Sequence, residues 1–195
     1  ARLARTFTGR DLMVSSGYHG WHDWSMAKIQ TTKGIPACVK ALTVDMPYGD
    51  LNRLEDFFRS RGDEVAAMVV AAPYHVEPAE IGEYLRQARE ITHRYGALFI
   101  YDEIVTGFRV ALGGVQQLVG VIPDLAVFSK GMANGFPIAA VVGRRDVMSA
   151  WKSTPISSTF GGEAVSLAAS VAAISEARER DTTGAIAERG RWLKR

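Results

Sequence analysis

Apolar residues recur along the chain in two rhythms. Leu12 to Ser15, Val39 to Asp45, Ala66 to Ala71, Ala97 to Tyr101, Asp124 to Phe128 and Ile138 to Val142 are short, nearly continuous apolar runs. Runs of this length bounded by turn residues predict strands. Leu51 to Arg61 instead carries its apolar residues at 51, 54, 57 and 58, one face of a helix, with Gly62 expected to stop it. Ala79 to Tyr95 reads as a charged amphipathic helix closed by Gly96, and Glu163 to Arg180 as a long alanine-rich helix. The first residues read as the end of a helix, and the segment between the first two strands as a polar, aromatic loop. Strands that are apolar without alternation are covered on both faces, so the expected class is α/β, a largely parallel sheet flanked by helices. The pattern leaves the direction of the last strand pair open. No fixed-period repeat and no Pro- or Ser-rich linker occurs, so residues 1–195 read as one domain.

Composition narrows the function classes. Of 195 residues 47% are hydrophobic and 23% charged, which excludes a disordered or low-complexity chain. Lys plus Arg is 23 against 21 Asp plus Glu, and a net charge of +2 gives no nucleic-acid or membrane-surface footprint. A small-molecule partner is expected. No apolar run approaches the roughly 18 residues that span a bilayer. Cys38, the only cysteine, excludes an internal disulfide and a thiolate zinc site and points to reducing, cytoplasmic conditions. No apolar stretch follows the basic Ala1-Arg2-Leu3-Ala4-Arg5, so it does not read as a secretory signal. A chain that starts without Met inside an amphipathic pattern and stops at Trp192-Leu193-Lys194-Arg195 reads as part of something longer.

Ligands of open α/β sheets sit beyond the carboxyl ends of the strands, so residues there carry the candidate chemistry. Tyr101-Asp102-Glu103-Ile104-Val105-Thr106-Gly107-Phe108-Arg109 ends one buried strand with two carboxylates. Such a carboxylate can pair with a bound cation or cap a helix. Phe128-Ser129-Lys130-Gly131 ends another with a lysine, either solvated or, when partly desolvated, an amine nucleophile toward carbonyls. Gly17-Tyr18-His19-Gly20-Trp21-His22-Asp23 can stack a planar cofactor or pack as an ordinary loop. His19 and His22 lack a matching third ligand, and the intervening glycine argues against a shared helical face, so no metal is expected. Neither G-x-G-x-x-G nor G-x-x-x-x-G-K-[ST] occurs, which weakens dehydrogenase and NTPase readings.

Together, the aromatic-His-Gly, the strand-end Asp-Glu with T-G-F-x-R, the strand-end Ser-Lys-Gly with N-G-x-P, and Ser158-Thr159-Phe160-Gly161 resemble the class III pyridoxal-phosphate aminotransferases. The similarity runs from about Thr6 to about Ala173 and is strongest to the branch that includes glutamate-1-semialdehyde aminomutase. Asp102 and Lys130 lie 28 residues apart, a spacing that suits the family.

The resemblance implies the large domain of a fold-type I enzyme, working as a homodimer with shared active sites on an amino donor and a carbonyl acceptor. It implies that Lys130 forms the internal aldimine with pyridoxal 5'-phosphate and moves the substrate proton. It implies that Asp102 pairs with the pyridine nitrogen, that Tyr18 and Ile104 pack on the two ring faces, and that His19 and Ser129 line the same pocket. Ser158 and Thr159 would reach the phosphate across the dimer interface. One departure is Ala72-Pro73 where the family usually has Glu-Pro; Glu77-Pro78 matches five residues later. The family's upstream phosphate loop and C-terminal small domain are absent from these residues. The expected activity is amino-group transfer, with an intramolecular aminomutase as the alternative and a non-catalytic relative as a third reading.

Overall fold

The computed structural model describes residues 1–27, 32–73 and 77–193. Lys194 and Arg195, at the expected C-terminal end, lie outside the described residues. Helix α1 (Arg2–Thr8) leads into β1 (Leu12–Ser16); α2 (Asp23–Met26) and α3 (Ala37–Ala41) fill the connection to β2 (Thr43–Asp45). Then follow α4 (Leu51–Arg61), a 3-10 turn (Gly62–Glu64), β3 (Val65–Val70), α5 (Pro78–Arg94), β4 (Leu98–Asp102), α6 (Val115–Val119) and β5 (Leu125–Phe128). The chain continues through β6 (Ala140–Gly143), α7 (Arg145–Ser149), α8 (Ala164–Glu179) and α9 (Thr182–Leu193).

The described strands form one sheet in the order β2-β1-β3-β4-β5-β6. All neighbours run parallel except β6, which is antiparallel to β5. The direction left open by the sequence is therefore settled at the sheet's edge.

Successive strand residues face opposite sides, and each side has its own core. Val14, Met68, Val70, Phe99 and Tyr101 meet Leu54 and Phe58 of α4 and Ile81, Leu85 and Ala88 of α5. Met13, Ala67, Val69, Leu98 and Ile100 meet Leu3 and Ala4 of α1 and Val147 of α7. A fully buried side chain such as Phe58 contributes about 1.5–3 kcal/mol, so two filled layers hold the strand ends rigidly.

One expectation is corrected. Val39 does not begin a strand: Pro36 starts a helical turn, its carbonyl accepting from Val39 and Lys40, and only Thr43–Asp45 pairs with β1. Gly62 caps α4 as expected, with φ −57°, and the chain turns on into the 3-10 segment. It is glycine because a Cβ there would stand 2.6 Å from the Tyr95 ring.

Asp124, just before β5, is buried and ties the amino edge of the sheet. Its carboxylate accepts from the Phe99 N–H at 2.7 Å, from His93 Nε2 at 2.7 Å and from Arg144 Nη1 at 2.8 Å. Burial pushes its pKa up, but the Phe99 amide, Arg144 and His93 outweigh that and hold it below the ordinary value. A carboxyl whose folded pKa is depressed stabilises the fold above its unfolded pKa and loses that contribution as pH falls through the folded one. We therefore expect Asp124→Asn to lower stability at pH 7 by about 1.5–3 kcal/mol. The gap to wild type should close as the pH is taken below about 3.8. Urea titrations at pH 7 and pH 3 measure this, and equal midpoints at pH 7 would refute it.

Candidate active site

The strand order reverses its direction of growth between β1 and β3, and in such sheets a crevice opens beyond the carboxyl ends at that switch point. A cleft of about 290 Å³ lies there, lined by Gly17 and Tyr18 after β1, Ala71, Ala72 and Pro73 after β3, and Asp102 at the end of β4. Tyr48, Val105 and Thr106 complete the lining. Gly17 has φ 98°, and a Cβ on it would come within 3.1 Å of the Ala71 side chain. The exits of β1 and β3 pass this closely only with glycine there. Tyr18 projects from the exit, 62% exposed and free to receive a planar group.

Asp102 is oriented from two sides. His19 Nδ1 lies 2.9 Å from its Oδ2, and the Ile104 N–H donates to its Oδ1 at 3.1 Å. The His19 ring is buried and stacked on Trp24, with centroids 6.1 Å apart and 11° between planes. A carboxylate has about four acceptor positions, so both oxygens keep capacity for a further cationic donor from the cleft. Beside Asp102 the tyrosine hydroxyls stay neutral. Burial, then the neighbouring Glu103 and Tyr48, raise the pKa of Tyr101, and burial and Tyr84 raise that of Tyr48.

Glu103 turns the other way and is 1% exposed. Its carboxylate accepts from the Thr106 hydroxyl, from the Val115 N–H at 2.9 Å and from the Gln116 N–H at 3.0 Å. This is the helix-capping alternative left open for the strand-end pair, realised by the second carboxylate. Gly114 precedes α6 with φ 75°, and a Cβ on it would collide with the Glu103 carboxylate.

Lys130 lies at the end of the adjacent strand. Asp102 pairs with Val127 across the β4–β5 ladder, so the lysine stands three residues past the strand position beside the aspartate. Its backbone is left-handed, φ 43°, and its carbonyl accepts from Asn134 N at 3.1 Å and Ala133 N at 3.3 Å. This tight turn leaves the Lys130 side chain exposed. The Ser129 hydroxyl donates to the Ile138 carbonyl at 2.6 Å, closing the loop that carries the lysine.

Of the expected site residues Tyr18 and Asp102 line the cleft, His19 and Ile104 bond to Asp102, and Ser129 and Lys130 follow the end of the neighbouring strand without lining the cleft. Ser158 and Thr159 are not among the cleft-lining residues; they sit in an exposed turn before α8. The first-turn amides of that helix, Val165 and Ser166, are held by the Glu163 carboxylate at 2.6 and 2.7 Å. Trp24 behind His19 and Tyr48 in the cleft wall were not singled out by sequence. Trp24 shares the aromatic segment of His19, which was a usable signal; Tyr48 lies in an unremarkable turn and had none.

This arrangement of a strand-end carboxylate, a strand-end lysine and an aromatic platform can bind a planar cation and attack its carbonyl. A sequence profile described as Aminotransferase class-III matches residues 4–195. The chain belongs to the class III aminotransferase family. Among its relatives, the 2'-deamino-2'-hydroxyneamine transaminase of Streptomyces kanamyceticus is 37% identical over 97% of this chain and 46% of its own length. The glutamate-1-semialdehyde 2,1-aminomutase of Pyrobaculum calidifontis is 40% identical over 90% of the chain and 43% of its own length. The fold agrees with that of solved structures. An omega-transaminase from Sphaerobacter thermophilus superposes with TM-score 0.80 at 29% identity, covering 90% of this chain and 46% of that one. The pyridoxal-phosphate internal aldimine form of the Sphingopyxis FumI protein superposes with TM-score 0.81 at 30% identity, over 91% and 44%. The chain spans about half the length of the curated relatives it matches.

Proposed function

We propose that the whole protein is a pyridoxal-phosphate-dependent aminotransferase that moves an amino group from an amine or amino-acid donor to a carbonyl acceptor. The observation that carries this reading is the Asp102 carboxylate, fixed by His19 and Ile104 at the floor of an open cleft with Lys130 on the neighbouring strand. The residues fit the cofactor: Asp102 has acceptor capacity left over, Tyr18 offers an uncovered aromatic face, and Lys130 is exposed at the same edge. Bound pyridoxal phosphate supplies an aldehyde that links to amines and a ring that takes up electrons when a substrate C–H bond breaks.

The chain's own residues do the rest. Asp102 keeps the proton on the ring nitrogen; each pKa unit of that support is worth about 1.4 kcal/mol of ion pairing. His19 keeps Asp102 aimed. Tyr18 and Ile104 would pack against the ring. Lys130 would hold the cofactor's aldehyde end through Nζ, and that Nζ would carry the substrate proton. Ser129 serves through the loop it closes.

In this reading the enzyme is a homodimer, with Ser158 and Thr159 reaching the partner's phosphate site. What supports it is the surface they share: Phe160 is 73% exposed, Val165 61% and Val171 68%, an apolar face that water does not favour. A reducing cytoplasm suits the exposed thiol of Cys38. No helix among the described residues is long and apolar enough to cross a membrane.

The aminomutase remains the second reading because relatives of similar identity carry that name. A mutase must retain its half-converted product, which calls for a loop able to close over the pocket. Here the loop after Lys130 is pinned, with Met132 and Ala133 buried and Ser129 bonded to Ile138, which favours release and transfer between molecules.

Borohydride reduction of the holoenzyme followed by peptide mapping should place a pyridoxyl group on Lys130; its appearance on any other lysine refutes the assignment. With an amino donor alone, the cofactor should accumulate as pyridoxamine phosphate with stoichiometric keto product. Isomerised product without keto release would replace the transferase by the mutase. Mixing inactive Lys130→Ala chains with cofactor-weak Thr159→Ala chains should restore one site per heterodimer. If heterodimers form and activity stays absent, Thr159 does not act across the interface.

A further inference from the structure

We infer that Glu103 is a positioning residue that sets the direction of the Asp102 carboxylate, an inference that rests on the proposed role of Asp102 toward a ring nitrogen. Burying a carboxylate at 1% exposure costs several kcal/mol unless it is fully bonded, and here three donors from two segments converge on it. The short helix α6 does not require this. A serine or aspartate at position 114 would be the ordinary local cap, whereas the chain leaves glycine there and brings a carboxylate from the end of β4.

What the arrangement fixes is the peptide that follows Asp102. The Glu103 N–H donates to the Val127 carbonyl at 2.9 Å, and its own carbonyl accepts from the Gly107 N–H at 2.8 Å. Gly107 in turn lies where a Cβ would stand 2.5 Å from the Phe128 ring, so the turn is pressed against the strand that carries Lys130. With residue 103 held by main chain and side chain together, the next amide, Ile104 N–H, points back to Asp102 Oδ1. Loosening Glu103 frees that amide and removes one of the two bonds that aim Asp102. Glu103 does not line the 290 Å³ cleft, so it acts through its neighbour.

The test uses the full-length protein stripped of cofactor and titrated with pyridoxal phosphate and with its 1-deaza analogue, which has carbon in place of the ring nitrogen. Wild type should prefer pyridoxal phosphate, because only it offers Asp102 a charged partner. Glu103→Gln keeps the side-chain length but sets an NH2 donor against one of the two N–H groups that now donate to separate oxygens, and it should narrow that preference about tenfold, one pKa unit's worth. Leu54→Ala, a cavity variant in the distant α4 core, should lower the melting temperature and leave the preference at the wild-type value. If Glu103→Gln does not fold, Gly114→Ala pushes the same carboxylate from the other side and should narrow the preference likewise. A folded Glu103→Gln or Gly114→Ala with the wild-type preference overturns the inference. No preference in wild type overturns instead the Asp102 reading beneath it.

Discussion

Parallel pairing brings distant strand ends to one edge, and the pairing of β4 with β5 is the constraint from which the site follows. Val127 stands opposite Asp102, and that register determines where Lys130 emerges, whatever the intervening chain does. A slip of one residue would turn Asp102 into the core and bring Glu103 to the cleft, because side chains alternate across the sheet. The register is therefore protected by the core itself. Phe99 and Tyr101 on one face and Leu98 and Ile100 on the other would all exchange environments in such a slip.

The same edge stores conformational strain. Phe108, Lys130 and Asn134 have φ of 60°, 43° and 46°, left-handed values that cost non-glycine residues on the order of 1–3 kcal/mol each. Such strain persists only where packing over-determines it. Met132 and Ala133 are buried between the two strained positions of the lysine loop, and Phe108 packs on Phe128 with ring centroids 5.7 Å apart. The lysine is thus presented by a turn that the core holds shut, which couples fold stability to the placement of its amine.

Where packing alone decides structure, the sequence was readable. The helices α4 and α5 and the strands β3, β4 and β5 carry long apolar patterns and lie within a residue or two of their expected bounds; α8 does too, although only Ser166 and Ser170 of it are buried. Val39 was misread because a β-branched residue says nothing of the proline three places before it, whose carbonyl starts a turn. The five-residue helices α6 and α7 are too short to show a period, and α6 depends on a cap supplied from β4. At the candidate site, residue type and strand-end position single out Asp102 and Lys130, and the structure places both beyond or at the carboxyl ends of neighbouring strands. That His19 backs Asp102 is a contact between segments 83 residues apart, and nothing local encodes it. Ser129 sits beside the lysine, and its hydroxyl meets a carbonyl nine residues on, a contact that adjacency does not show.

The Asp-Glu pair shows how one strand end supplies two different carboxylate functions. Adjacent residues on a strand point to opposite faces, so the first member meets the cleft and the second the interior. Their environments then diverge. Asp102 takes only two protein bonds and keeps acceptor capacity, whereas Glu103 is enclosed by donors from Thr106, Val115 and Gln116. Length matters in the same sense. Glu103 needs its extra methylene to reach amides of a helix twelve residues on, and the shorter Asp102 has less freedom to swing from the aim that His19 and Ile104 give it. The order Asp-then-Glu is therefore not exchangeable: Glu-then-Asp would leave α6 without its cap and put the longer, more flexible carboxylate at the cleft.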